Sequence, residues 1–212
     1  MTKWLEYTNI TSVMEKGRRE ETISRIKESA IAEFLEKGYG KTNLRSICQK
    51  ADVTTGAFYF SFSSKEALLD AILEPLVNRY ENMIIELREV QIAHPEQGVD
   101  IDKKVMGFLM QYRREALIIL EKCEGSKYGG YREAVQNMML ESFSMYFMNV
   151  LGWLPDRNLM KILVSERLQG CIDIIKGDYD MEYAMYLVEK TGIFAEGGTE
   201  SLIESLKKES GN

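Results

Sequence analysis

Residues 34–69 read FLEKGYGKTNLRSICQKADVTTGAFYFSFSSKEALL, and this stretch decides the fold. Gly38 closes a helix whose apolar residues Ile23, Ile26, Ala30 and Phe34 fall three, four and four apart, the signature of one helical face. Thr42 stands where an N-cap belongs, ahead of a short second apolar face made by Leu44, Ile47, Cys48 and Ala51. Asp52-Val53-Thr54 predicts a tight turn. Either Thr54 or Thr55 then caps a third helix of about two turns over the run TTGAFYFSF. Ser63-x-x-Glu66 is a further capping signal, with Ser64 the competing cap, and it opens a long helix with Leu68, Leu69, Ile72 and Leu76 on one side. Pro75 either kinks that helix or ends its first part. Three helices within about fifty residues, the last two joined by a turn of about three or four residues, describe a helix-turn-helix. Such a unit buries little by itself, so it is expected to lean on the remaining chain.

Working outward, 212 residues make one or at most two domains. The composition, 45% hydrophobic and 28% charged, is that of a folded chain, and only three prolines stand against twelve methionines. That balance favours helix. Downstream, 94–100 (HPEQGVD) is the expected interior loop. Ile101, Val105, Phe108, Tyr112, Ala116, Ile119 and Cys123 then repeat at helical spacing as one helix. EGSKYGG breaks it, a stripe from Tyr131 to Val150 follows, and GWLPD makes a second break. Helices are expected at about 157–176 and from 181 to about 194. Gly197-Gly198 should set off a last short piece with its own capping box, Ser201-x-x-Glu204. Strand alternation is not convincing anywhere, and the predicted fold is all-α.

Several functions recede at once. No run of about 18 apolar residues exists to span a bilayer, and residues 1–15 lack the pattern of a secretory signal; a cytoplasmic protein is expected. Cys48, Cys123 and Cys171 are widely spaced, form no zinc-type cluster and predict buried reduced thiols. His94 is the sole histidine, so no catalytic triad is advertised, and phosphate-binding and dinucleotide fingerprints are missing. No catalytic residues, metal or cofactor are expected. The net charge of −6 at first speaks against nucleic acid. Its distribution reverses that reading: residues 16–65 carry ten Lys/Arg against six Asp/Glu, while all the net negative charge lies beyond residue 75.

The residues also carry a resemblance. Gly38-Tyr39, Thr42, Ile47, Val53, Thr54, Gly56, Tyr59, Phe62, Ser64, Lys65 and Glu66 fall without gaps on the pattern of the DNA-binding domain of TetR-type transcriptional regulators. The resemblance covers about a fifth to a quarter of the chain. It implies an N-terminal three-helix helix-turn-helix DNA-binding domain followed by a helical effector-binding and dimerisation domain. Residues 1–17 are then an N-terminal extension, 18–66 the DNA-binding domain and 67–212 the ligand-binding and dimerisation domain. Implied phosphate contacts are Tyr59 by its hydroxyl, and Thr42 and Lys65 at the openings of helices two and four. Gly56 lets the backbone approach DNA, and Arg45, Thr54, Thr55, Ala57 and Ser61 are candidate base readers, with Phe60 beside them. Thr42 and Ser64 serve equally well as simple caps. Four positions depart from the pattern. Asp52 stands for the usual turn Gly and must adopt a left-handed conformation, which Asp tolerates better than most residues. Thr55, Phe60 and Ser61 stand for frequent Lys, Tyr and His, removing phosphate-binding groups. The extension either packs on the body through Trp4, Leu5 and Tyr7, reaches DNA as an arm, or precedes an alternative start at Met14.

For the larger domain the resemblance implies a homodimer through the last two long helices, matching a palindromic operator on double-stranded DNA. Gly170 would permit close helix approach there. Phe108, Tyr112, Met138, Met139, Phe143, Phe147 and Trp153 enrich the middle helices in Met and aromatics. They make either a pocket for an apolar or aromatic effector or ordinary core. Glu166 either meets a cationic ligand group or faces solvent. The expected function is a sequence-specific transcriptional regulator, a repressor released by a small effector. The rivals are a DNA-binding structural or cell-cycle factor without a ligand, and an enzyme or carrier on a helical bundle.

Overall fold

The computed structural model describes the backbone of residues 2–93 and 98–209, and the side chains of 16–87 and 98–209. The elements among the described residues are all helices: α1 (Thr2–Lys37), α2 (Leu44–Lys50), α3 (Thr55–Ser61), α4 (Lys65–Ala93), α5 (Gly98–Gln111), α6 (Arg113–Glu121), α7 (Tyr131–Leu151), α8 (Arg157–Lys176) and α9 (Met181–Glu209). No described helix is long and apolar enough to cross a membrane. His94 and most of the expected interior loop lie outside the described residues, as do the side chains of Trp4, Leu5 and Tyr7.

Helix boundaries follow local chemistry where the local signal is strong. Gly38 ends α1 at φ +78°, and Asp52 takes φ +53° in the turn before α3, the left-handed conformation expected of it. The Thr54 side chain accepts from the Ala57 amide and caps α3. Ser64, not Ser63, caps α4 by accepting from Ala67. Asp156 caps α8 by accepting from the amides of Asn158 and Leu159.

Elsewhere tertiary contact overrides the local signal. The expected single helix over 101–123 is broken at Tyr112, whose φ of −112° and ψ of 33° lie outside helix. The break lets Arg113 turn to the end of α8, where its guanidinium donates to the carbonyls of Ile175, Lys176 and Gly177, left unpaired by that helix. Pro75 neither ends nor divides α4, which runs through it. The expected break at Gly197-Gly198 does not occur either. Two helical glycines cost about 1 kcal/mol each, and lateral packing outweighs that: Gly192 of α9 lies against Val99 of α5, and Ile203 is buried with Phe147 and Met160. Ser201 is accordingly no cap; its hydroxyl donates back to the Gly197 carbonyl. Helix α1 is continuous across residue 17, from Thr2 to Lys37.

The main core is continuous between the first three helices and the body. Ile26, Phe34, Ile47, Phe58, Leu68 and Leu73 share one buried cluster with Ala116, Ile119, Val135 and Ile172. Two smaller clusters, around Met106, Ile175 and Val188 and around Phe147, Met160 and Ile203, complete the body. The small N-terminal unit therefore does lean on the rest of the chain. Cys48 and Cys123 are free buried thiols, with burial pushing both pKa values up, Cys123 to about 11.

Candidate nucleic-acid interface

Helix α3 is built to show one face and bury the other. Phe58 is fully buried and Phe62 nearly so, and their rings lie 5.7 Å apart in the core. Thr55, Gly56, Tyr59 and Phe60, at i, i+1, i+4 and i+5, are all exposed on the opposite side. Phe60 is 74% and Tyr59 56% exposed, an unusual presentation for aromatic rings in so small a helix. A Cβ added at Gly56 would meet only the Thr54 hydroxyl at 3.8 Å, so this face is open to an approaching backbone. Ala57 and Ser61 are half-buried at the edges of the face, and Thr54, though exposed, spends its hydroxyl as a cap. Arg45 is exposed on α2.

Two residues expected at the openings of helices are placed differently. Thr42 is buried, and its hydroxyl donates to the carbonyls of Gly38 at 2.9 Å and Glu33 at 3.2 Å. Its capping place belongs to Asn43, whose side chain accepts from Ser46 at 2.8 Å. Lys65 is turned inward too: its ammonium donates to the carbonyls of Tyr39 and Thr42, both at 2.7 Å, and sits 4.0 Å from the centre of the Tyr39 ring. Burial lowers its pKa. Both side chains thus fix the turn between α1 and α2 from inside, the Thr42 hydroxyl and the Lys65 ammonium donating to carbonyls of the protein itself.

Sequence reasoning missed Glu33. It is 4% exposed, yet its carboxylate accepts from Lys37 and Ser46, each at 2.8 Å, and from Lys50 at 3.4 Å. Spacing could have found it, because Glu33 follows Ala30 by three on the inward face of α1. These donors, Lys37 first, hold its carboxyl at about 2, against an ordinary 4.5. A depressed carboxylate adds stability that is complete above pH 4.5 and is lost as pH falls towards 2. Glu33→Gln should therefore lower stability at pH 7 by about 1–2 kcal/mol, the half-exposed lysines screening the larger nominal value. In urea melts, the gap from wild type should close between pH 4.5 and pH 2. A gap that stays constant would show that ionisation is irrelevant.

The body grips this unit through the loop between α6 and α7. The Tyr39 amide donates to the Lys122 carbonyl at 2.8 Å. The Lys127 amide donates to Glu66 at 3.1 Å, and its ammonium pairs with Asp70 at 2.9 Å. Lys27 of α1 donates to the Ala71 carbonyl of α4, and Arg114 of α6 pairs with Glu28 of α1. The start of α4 is thus tied on one side to the reading unit and on the other to the body.

The candidate effector residues do not converge on one place. The Phe108 and Tyr112 rings lie tilted, 5.0 Å apart, beside Tyr80, whose phenol pKa is raised well above its ordinary value by burial, and Arg79 donates to the Tyr112 hydroxyl. Met139 packs at the margin of the main core and Met138 is half-buried on α7. Phe143 lies against Phe147, which is fully buried and so is packing rather than lining. Trp153 is half-buried in the turn after α7, remote in sequence from the Phe108 pair, and Glu166 faces solvent on α8. An open apolar groove lies instead between α7 and the start of α8, walled by Leu140, Met145, Leu154 and Met160.

A family model described as bacterial regulatory proteins, tetR family, matches residues 26–72. The probable acrEF/envCD operon repressor of Escherichia coli K12 is 27% identical over 178 residues, covering 76% of this chain and 68% of that protein. An uncharacterized HTH-type transcriptional regulator of Bacillus subtilis, YuxN, is 22% identical over 225 residues, covering 85% and 75%. A TetR-like transcriptional regulator from Rhodococcus sp. RHA1 superposes with a TM-score of 0.59 at 15% identity, over 85% of this chain and 96% of that one, a likeness of fold. The matched segment 26–72 contains α2 and α3 and the joint with α4 just described.

Proposed function

We propose, from the premise that this chain belongs to the TetR family of bacterial regulatory proteins, that it is a dimeric repressor whose operator complex is released by a small apolar or aromatic effector. The observation that carries the reading is the exposed face of α3, with Tyr59 and Phe60 projecting from a locally basic unit. A helix so presented fits the major groove, with Thr55, Gly56 and Ala57 nearest the bases, Arg45 on α2 a further candidate reader, and Tyr59 towards a phosphate. The E. coli relative is named a probable operon repressor, which supports repression over activation. The cytoplasm is where such a protein meets its operator.

Dimerisation is assigned to α8 and α9. Tyr183, Tyr186, Ile193 and Phe194 form an exposed apolar stripe on α9, with Ile162 exposed on α8. Added Cβ atoms at Gly170 and Gly197 would meet nothing within 4 Å, leaving room for a second copy's helices. The effector is placed beside α4 and α5, where the rings of Tyr80, Phe108 and Tyr112 meet. A ligand there shifts the equilibrium only by preferring one placement of α4, whose first turn is tied to the reading unit.

In vitro selection from random duplexes, using the full chain, tests this. A selected palindrome should bind at least about a thousand times more tightly than its scrambled form. Apolar aromatic compounds that raise the melting temperature should lower that affinity. Equal affinity for all duplexes would favour the structural-factor alternative, and stabilising compounds that leave the complex intact would remove effector release.

A further inference from the structure

The reading surface does not end with α3. One face of α1 runs Ile26, Ile23, Arg19, Lys16, at spacings of three, four and three. Ile26 is fully buried and Ile23 packs at the core margin, whereas Arg19 and Lys16 are exposed. The same stripe that fastens α1 to the small unit therefore turns cationic where α1 rises past it. Arg19 is also held: its guanidinium carbon lies 5.1 Å from the centre of the Phe60 ring. Phe60 in turn belongs to the exposed face of α3 beside Tyr59, and it is 74% exposed.

That pairing has a definite chemical consequence. A guanidinium over a ring face is attracted through its flat surface, and its N–H donors, which lie in the plane, stay unspent. Among the described residues, no carboxylate or carbonyl accepts from Arg19. Of the acidic side chains described next to it on α1, Glu20 is about 100° away around the helix and Glu21 projects from the opposite side; Glu15, four residues before it, lies outside the described side chains. A fixed cation with free donors, at the edge of a face that enters a groove, matches a phosphate of the flanking backbone.

We propose that Arg19, steered by the Phe60 ring and followed one turn on by Lys16, is a DNA-backbone contact outside the helix-turn-helix, extending the footprint along α1. This rests on the DNA-binding reading of α3. Phe60, which has no hydroxyl for a phosphate, serves as the platform that aims the cation. Arg19 is thus a binding residue and Phe60 a positioning residue.

Fluorescence anisotropy of the full chain on a 40-base-pair mixed-sequence duplex between 50 and 200 mM salt tests it, with about 0.9 of log–log slope expected per phosphate contact. Arg19→Ala should lower the slope by about 1 for each engaged head and weaken binding about three- to tenfold per head at 100 mM salt. Arg19→Lys should keep the slope, and Phe60→Leu should lower affinity with the charge unchanged. Arg18→Ala removes the same charge from a different face of α1 and should leave the slope close to wild type. Equal losses for Arg18→Ala and Arg19→Ala would reduce the effect to general charge and overturn the contact. An unchanged slope for Arg19→Ala, with Arg45→Ala or Tyr59→Phe still weakening the complex, would overturn it while leaving the α3 reading intact. A wild-type protein that binds no duplex would sink both.

Discussion

Phe194→Glu should convert the protein to a monomer and weaken binding to its selected palindrome by at least about 100-fold, since two linked heads gain about 10²–10⁴ over one. Phe194 is 82% exposed, the most exposed large apolar side chain described. It shares α9 with Ile193, Tyr186 and Tyr183, which recur at spacings that keep them on one side, and the Tyr183 and Tyr186 rings stack 5.8 Å apart. A two-fold interface uses each patch twice, so a single substitution places two carboxylates within the same dry contact. Burying unpaired charge is far costlier than losing one ring. Sedimentation at micromolar concentration should show the monomer, with secondary structure unchanged because the side chain touches little of its own chain. Leu154→Glu, in the groove between α7 and α8, should leave the dimer intact. A Phe194→Glu protein that still sediments as a dimer would place the interface elsewhere.

Phe58→Ala should destabilise the protein by about 3–5 kcal/mol, the usual cost of emptying a phenylalanine site in a close-packed core. Phe58 is wholly buried, edge-on to Tyr59 at 5.5 Å and tilted against Phe62. Its loss opens the floor beneath the reading face. Because one cluster joins Phe34, Ile47 and Phe58 to Ala116, Ile119 and Ile172, the damage should not stay local. Hydrogen exchange should show amides of α1–α3 and of α6 losing protection together. Loss confined to α1–α3 would show that the shared core does not couple the two parts energetically.

The sequence was most readable where local chemistry and final packing agree. The limits of α8, the left-handed Asp52 and the Thr54 cap all follow from residues close by. The break at Tyr112 was hidden because Phe108, Tyr112 and Ala116 keep perfect helical spacing across it; its cause is Arg113 meeting carbonyls of α8, sixty residues away in the chain. Continuity of α9 was hidden for the opposite reason, since two glycines argue locally for a stop that packing against α5 overrules. At the interface, the exposed ring pair on α3 was legible from the pattern. The inward commitment of Thr42 and Lys65 was not, because a hydroxyl or ammonium at a helix start serves a carbonyl inside the protein as readily as a phosphate outside it.

One strand of the joint between reading unit and body is a bond from the Tyr39 amide to the Lys122 carbonyl. Such a bond is written in the main chain, so by itself it makes no demand on the side chain at 122. Away from the shared core and from Arg114 and Lys127, the body can therefore exchange side chains without severing this strand of its connection. For protein engineering, this marks the loop after α6 as a seam: a foreign body needs to reproduce the path of that loop together with the Lys127 pair and the shared core to keep hold of the reading head.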